Sequence, residues 1–374
     1  MPPFPLPVYL DHAATTPPDS TVIAAMGRCM AEGWQNPSAL YAAAGNARRE
    51  MRLARRQIAG MLGCDIQEVI FTSGGTEGNN AALMLAAGKH VVISAIEHPS
   101  VIQAARRRCA GVTLVQPDTQ GVIQPDAVAA ALRPDTALIS VQFANNETGV
   151  LQPVAAIGRM AREKRIPYHC DGVQGFGQLP LQADFCDLMT LSAHKLYGPR
   201  GVGALYVRSG IVLPPLLLGG EQEQRLRAGT ENVAAICGFG EAARLAQADM
   251  NDRADRERLL MADFLSQLQS AIPGCRVLGE GAARLPGVAA VLLPGLDAVQ
   301  AIADLDLLSV QVSGGAACRM QEGSVSPVYR GMGLSEQDAR CVLRISIGRH
   351  TQKEALDYAA QCIRQVYEKR VMRK

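Results

Sequence analysis

Between residues 68 and 192 one rhythm repeats: a short apolar run, a turn, a helical pattern, then another apolar run. "EVIFTS" (68–73), "HVVISAIE" (90–97), "VTLVQ" (112–116), "TALISVQF" (136–143), "PYHCD" (167–171) and "DLMTLS" (187–192) read as strands. "TEGNNAALMLAAG", "PSVIQAARRRC", "PDAVAAALR" and "PVAAIGRMAREKR" read as helices between them, the second opened by Pro99, which suits a first helical turn. Strands separated by helices form crossover units, so the pattern predicts an α/β fold with a mainly parallel sheet flanked by helices. "GVGALYVR" (201–208) is expected to add an antiparallel strand.

The rhythm then changes. A long charged helical pattern runs from roughly 232 to 270, followed by short strands ("GVAAVLLPG", "VLRISIG") and helices ("LDAVQAIADLDL", "TQKEALDYAAQCIRQVYEKR"). This predicts a second, smaller α+β domain from about residue 251, with the Pro-rich first dozen residues packing on it as an arm. The expected division is a large domain over 12–250 and a small one over 1–11 and 251–374. No internal repeat or low-complexity segment interrupts it.

Nearly half the residues are hydrophobic and 19% are charged, as in an ordinary globular protein. A net charge of +2 gives no polyanion signal, so nucleic acid is not an expected partner. No apolar run is long enough to span a bilayer, and the opening residues lack the basic-then-apolar pattern of a secretory signal. The expectation is a soluble, cytoplasmic protein. Ten cysteines lie scattered, with no C-x-x-C pair and no histidine at ligand spacing, which argues against structural zinc.

In an open parallel sheet, ligands bind beyond the carboxyl ends of the strands. After the first strand stands Ser73-Gly74-Gly75-Thr76, opening a helix: either a plain turn or a phosphate cradle of free N–H groups. After the second stands His98, and after the fourth Asn145-Asn146-Glu147-Thr148-Gly149. "YHCDGVQG" puts Asp171 and Gln174 at another strand end. A carboxylate leaving an apolar strand needs a partner, either an arginine or helix start, or a cationic ligand nitrogen.

"LSAHKLYGPRG" places Lys195 where a buried strand empties into a loop. A lysine in a dry pocket has a lowered pKa and becomes a nucleophilic amine able to form a Schiff base. A phosphate cradle, an acidic partner for a pyridinium nitrogen and such a lysine are the three attachments that pyridoxal phosphate requires. Their joint occurrence at strand ends favours that cofactor.

With these residues in place, the chain resembles the class V group of fold-type I pyridoxal-phosphate enzymes, and within it cysteine desulfurases of the NifS/IscS type. "VYLDHAATTP", "NPSALY", "IFTSGGTEGNN", "IEHPSV", "NNETGVLQP", "HCDGVQ", "LSAHKLYGPRGVGALYVR", "LRAGTEN", "SGGAAC" and "LRISIGRHT" carry the resemblance, in the family's order and over nearly the whole chain. It implies that Lys195 holds the cofactor, Asp171 pairs with the pyridinium nitrogen and Gln174 meets the ring hydroxyl. His98 would stack on the ring and relay protons. Gly75, Thr76, Ser192 and His194 would hold the phosphate, and Asn146 would contact the ring region. Thr230 would reach the phosphate of a neighbouring subunit, making the active unit a homodimer. Arg344, with Asn36, would bind the substrate carboxylate.

Cys318, among small and polar residues in "VSGGAACRMQEGSVSP", aligns with the family's sulfur-accepting thiol. The implied reaction converts L-cysteine to L-alanine and leaves a persulfide on Cys318 for a sulfur-acceptor protein. Arg319-Met320-Gln321-Glu322 departs from the small hydroxyl residues usual after that cysteine, so the acceptor stays open between iron–sulfur cluster assembly and another sulfur-transfer pathway. Two rival readings remain: a selenocysteine lyase, which shares the lysine chemistry, or an aminotransferase, which would not need Cys318; and a catalytically idle docking homologue. The idle form could lose Lys195, His98 or Cys318, and all three are present.

Overall fold

The computed structural model describes Phe4, residues 7–314 and residues 325–372. In chain order the strands are β1 (Val8–Tyr9), β2 (Val69–Thr72), β3 (His90–Ser94), β4 (Gly111–Val115), β5 (Thr136–Ser140) and β6 (Tyr168–Asp171). They continue with β7 (Leu188–Ser192), β8 (Gly203–Val207), β9 (Arg276–Val277), β10 (Val288–Leu292), β11 (Val310–Gln311) and β12 (Val342–Ser346).

Seven of them form one sheet in the order β2-β8-β7-β6-β5-β3-β4. All its pairings are parallel except those of β8, which runs antiparallel to both β2 and β7. The expected α/β architecture, including the antiparallel strand after Lys195, is therefore present. The strands are apolar on both faces because helices cover both. Within β2, Val69 and Phe71 join one core cluster while Ile70 joins the other; within β7, Met189 and Leu191 oppose Leu188 in the same way. Each large side chain so buried contributes about 1.5–3 kcal/mol.

One face packs on helices Ala44–Leu62, Val154–Glu163 and the start of Val233–Ala271; the other packs on Gly75–Ala82 and Pro99–Arg108. Ala47, Met51, Ala54 and Ile58 repeat every three or four residues, which turns one helix face inward. The helix Val233–Ala271 crosses it closely: a Cβ on Gly240 would sit 2.5 Å from the Cα of Ala54. Its 39 residues make a rod of about 58 Å at 1.5 Å per residue.

That rod serves two cores. Phe239, Ala242 and Ala246 pack under the large sheet, whereas Met261, Phe264 and Leu268 pack in a separate cluster around the antiparallel sheet β12-β10-β9. Residues 250 and 251 lie inside the helix, so the two cores are joined by a rigid element and not by a linker. The first strand, β1, pairs in parallel with β11, and Asp11 bridges to Ser346 at the end of β12. No helix among the described residues is long and apolar enough to cross a membrane.

Candidate active site

Beyond the carboxyl ends of β2, β3, β5, β6 and β7 lies a cavity of about 300 Å³. It collects ten residues singled out from the sequence: Gly75, Thr76, His98, Asn146, Asp171, Gln174, Ser192, His194, Lys195 and Arg344. Asn36 and Thr230 are not among its lining; both are exposed on this chain. Asn36 instead caps its own turn, accepting the Ser38 N–H at 2.9 Å. Cys318 lies outside the described residues.

Lys195 ends a short 3-10 turn, Ala193–Lys195, that follows β7 directly. Its Nζ donates to the carbonyls of Ala13 at 2.5 Å and Ala14 at 2.7 Å. Thr16 clasps the same turn, its N–H and hydroxyl both donating to His194 O and its Oγ1 accepting the Tyr197 N–H. Residues 13–16 thus form a floor that no apolar pattern announces, because the contacts are made by backbone carbonyls. Burial, aided by the Arg344 charge, lowers Lys195 to about 8, against the opposing pull of Asp11 and Asp171. A fraction of the amine is then neutral near pH 7, as a nucleophile requires.

Asp171 sits 7% exposed at the end of β6. Its Oδ2 accepts from Asn79 Nδ2 at 2.7 Å and its Oδ1 from the Val173 N–H at 3.0 Å. Asn79 also donates to Ser100 Oγ, and Ser100 Oγ lies 2.7 Å from His98 Nδ1. The Ser100 N–H points at the same Nδ1, at 3.2 Å. An N–H can only donate, so Nδ1 accepts and a neutral His98 carries its proton on Nε2. Asn79 and Ser100, which connect the acid to the imidazole, had no distinguishing mark in the sequence beyond lying in two of the quoted motifs.

Gly75 and Thr76 open the helix Gly75–Ala82, whose first N–H groups have no partner within the helix. A Cβ on Gly75 would stand 2.9 Å from Val173 Cγ2, so glycine lets this helix start approach the Asp171 turn. Gln174 Nε2 donates to Ala13 O, and His194 Nδ1 lies 3.1 Å from Thr15 Oγ1. Arg344, 3% exposed on β12, pairs with Asp11 at 2.6 Å and donates to Asn146 O at 3.0 Å. Its Nε is buried with no hydrogen-bond partner among the described residues, a donor left for a ligand.

The donor set fits pyridoxal phosphate: a helix start for the phosphate, a hydrogen-bonded carboxylate for a ring nitrogen, a depressed amine for the aldehyde, and an imidazole beside them. The orphaned Arg344 Nε fits the carboxylate of an amino acid bound next to it.

Three histidines are held neutral by burial. His12, His169 and His194 are each lowered to about 4, His194 also by the charges of Lys195 and Arg200. Unfolding restores an ordinary value near 6.5, so the unfolded chain binds more protons between the two values. The stability they contribute is complete above about pH 6.5 and is lost as pH falls through 4. Glu97 and Glu257, raised to about 8 and about 7 by burial, act with the opposite sign over the same range. The histidine share is therefore read in His169→Gln, whose denaturant midpoint is expected to fall less than the wild type's from pH 7 to pH 4; an equal fall would contradict this.

The family described as aminotransferase class-V matches residues 8–358. A protein named cysteine desulfurase IscS from Dictyoglomus turgidum is 37% identical, the alignment covering 97% of this chain and 95% of that one. Among solved structures, a NifS-like protein from Rickettsia africae superposes with a TM-score of 0.89 at 32% identity, covering 96% of this chain and 99% of that one. A structure described as SspA in complex with cysteine gives a TM-score of 0.82 at 32% identity, over 92% of this chain and 100% of that one.

Proposed function

We propose a specific reaction for this chain, which belongs to the class-V aminotransferase family: removal of sulfur from L-cysteine to leave L-alanine. It is a pyridoxal-phosphate enzyme, a cysteine desulfurase. The observation that carries this reading is the meeting of Lys195, Asp171, His98 and Arg344 in one cavity at the strand ends.

Bound pyridoxal phosphate supplies an electron sink for the substrate's α-carbon. Gly75, Thr76, Ser192 and His194 would hold its phosphate, Asp171 its ring nitrogen and Gln174 its hydroxyl, with His98 and Asn146 contributing to the ring site. Arg344 binds the substrate carboxylate through its free Nε, oriented by its ion pair with Asp11. Lys195 takes the α-proton of cysteine at Nζ, for which an amine near 8 is suited. His98 holds a proton at Nε2 and exchanges it with the substrate thiol. The Cys318 thiolate then attacks the substrate sulfur: an S–S bond forms, the C–S bond breaks, and the carbon left behind takes up a proton. Cysteine plus a thiol becomes alanine plus a persulfide, with atoms balanced and no outside oxidant.

The described residues that flank the Cys318 segment meet the site from both ends. Ser313 pairs with Arg344 through two backbone hydrogen bonds, and Pro327 and Val328 line the cavity wall. Thr230, exposed here, is assigned to the neighbouring active site of a homodimer; Asn36, expected with Arg344 at the substrate carboxylate, does not line this cavity. The persulfide passes to a sulfur-acceptor protein serving iron–sulfur assembly or another sulfur pathway, in the cytoplasm.

The test is to incubate the purified protein with L-cysteine and quantify alanine and protein-bound sulfane sulfur, beside L-selenocysteine and a keto acid. Alanine with matching sulfane sulfur supports the desulfurase. Alanine from selenocysteine alone makes it a lyase; amino transfer to the keto acid with sulfur retained makes it an aminotransferase.

A further inference from the structure

Glu97 immediately precedes His98, lines the same cavity and is only 4% exposed, yet the reaction above does not use it. Its Oε1 accepts the Gln142 N–H at 2.8 Å. Its Oε2 is buried with no hydrogen-bond partner among the described residues. A bare, buried carboxylate oxygen is costly, whereas a carboxylic acid there loses little and gains an O–H to offer.

Two carboxyl groups in one dry cavity do not both ionise cheaply. Asp171 is stabilised in its ionised form by two donors, the Asn79 amide and the Val173 N–H. Glu97 meets the Gln142 N–H and the Ser94 hydroxyl. Burial decides which acid keeps the proton: Glu97 lies deeper, and the Asp171 charge opposes its ionisation. Other ionisable groups face the pair without reversing that order. From β6, Tyr168 and Cys170 are fully buried and held in their neutral forms. Glu147 lines the cavity as a further acid, and Lys195 and Arg344 line it as cations paired elsewhere with Ala13, Ala14 and Asp11.

We propose that Glu97 is a positioning residue that holds a proton at neutral pH, so that of the two acids it is Asp171 that is ionised beside the cofactor ring. The inference rests on reading this cavity as the pyridoxal-phosphate site. Burial first, and the Asp171 charge second, push Glu97 up to about 8. Above that value a second negative charge arises beside Asp171, and the field felt by the ring and by His98 changes. The sign is that of a raised acid: the proton is present below about pH 8 and lost above it.

Lys195 titrates in the same range, so activity alone cannot identify the group. Infrared difference spectra of the holoenzyme between about pH 7 and pH 10 read the carboxyl directly. Burial also raises Glu257, to about 7, which gives a band of the same kind. The expected result is a further protonated-glutamate C=O component in the wild type that disappears as pH rises, shifts on isotopic labelling of glutamate, and is absent from Glu97→Gln throughout. In that variant the alkaline fall in kcat/KM for L-cysteine moves to higher pH. If the wild type has no such component at neutral pH, or Glu97→Gln retains it, the proposal is overturned. Should the protein fail to take up the cofactor, the site reading fails, and that component in the cofactor-free protein still decides the protonation of Glu97.

Discussion

Lys195→Ala is expected to fold, to lose covalently attached cofactor and its visible absorbance, and to lose L-cysteine desulfuration by at least about 10³-fold. Two roles fall on one nitrogen, the anchor and the base, and no other amine lines the described cavity. Stability changes little for opposed reasons. The variant leaves the Ala13 and Ala14 carbonyls without their donor, at roughly 1–3 kcal/mol for an unsatisfied buried group. It also removes an ammonium that burial already disfavours. Lys195→Arg separates charge from nucleophilicity, since a guanidinium stays protonated and cannot serve as the amine. It should keep the cation and be as inactive as the alanine variant. Retention of a tenth of wild-type activity in either variant would remove Lys195 from the chemistry.

Cys318→Ala should leave cofactor loading intact while alanine production from L-cysteine falls by roughly 10³-fold or more. Its thiolate is the acceptor whose S–S bond compensates for the broken C–S bond. Without it the substrate binds and loses its α-proton, but sulfur has nowhere to go. The nine described cysteines are free, and none lines the cavity. Cys170 is the nearest in sequence to a site residue, and burial raises its thiol far above the usual range, so it is no substitute nucleophile. The measurement is alanine per active site in the first turnover and at steady state. Equal alanine from both proteins would favour a lyase in which sulfur leaves directly.

The sheet was legible because each of its parallel strands is a closed apolar run between turn residues, a pattern that burial on two faces imposes. The helices Ser20–Glu32 and Ala44–Leu62 escaped notice although Ala47, Met51, Ala54 and Ile58 keep helical spacing. Alanine at two of those positions gives a weak apolar signal, and five arginines and a glutamate among them mask it. In the site, residues with their own chemistry were found and those that act through position were not. Ala13 and Ala14 contribute carbonyls, which every residue possesses. Asn79 and Ser100 matter only through the strand ends that bring them between Asp171 and His98. Glu97 was passed over for its neighbour because a carboxylate at a strand end has no visible burial in sequence, and its protonation depends on the Gln142 N–H beyond β5 and on the Asp171 charge at the end of β6.

The seam between Asp11–Ala13 and Ser346 has a bearing on how the enzyme is made. The Ala13 N–H reaches Ser346 Oγ at 2.9 Å across 333 positions of sequence, and the Asp11 side chain pairs with Arg344. A ribosome adding about 5–20 residues per second therefore delivers the floor of the pocket roughly 15–70 s before the strand that holds it down. During that interval Thr16 and Gln174 can already hold residues 13–16 against the Lys195 turn, but the side of the pocket built by Arg344 and Ser346 is missing. Stalled chains ending before β12 should accordingly lack the substrate-carboxylate donor and turn over no L-cysteine, whereas released full-length chains do. Activity is in this way tied to synthesis of the last strand.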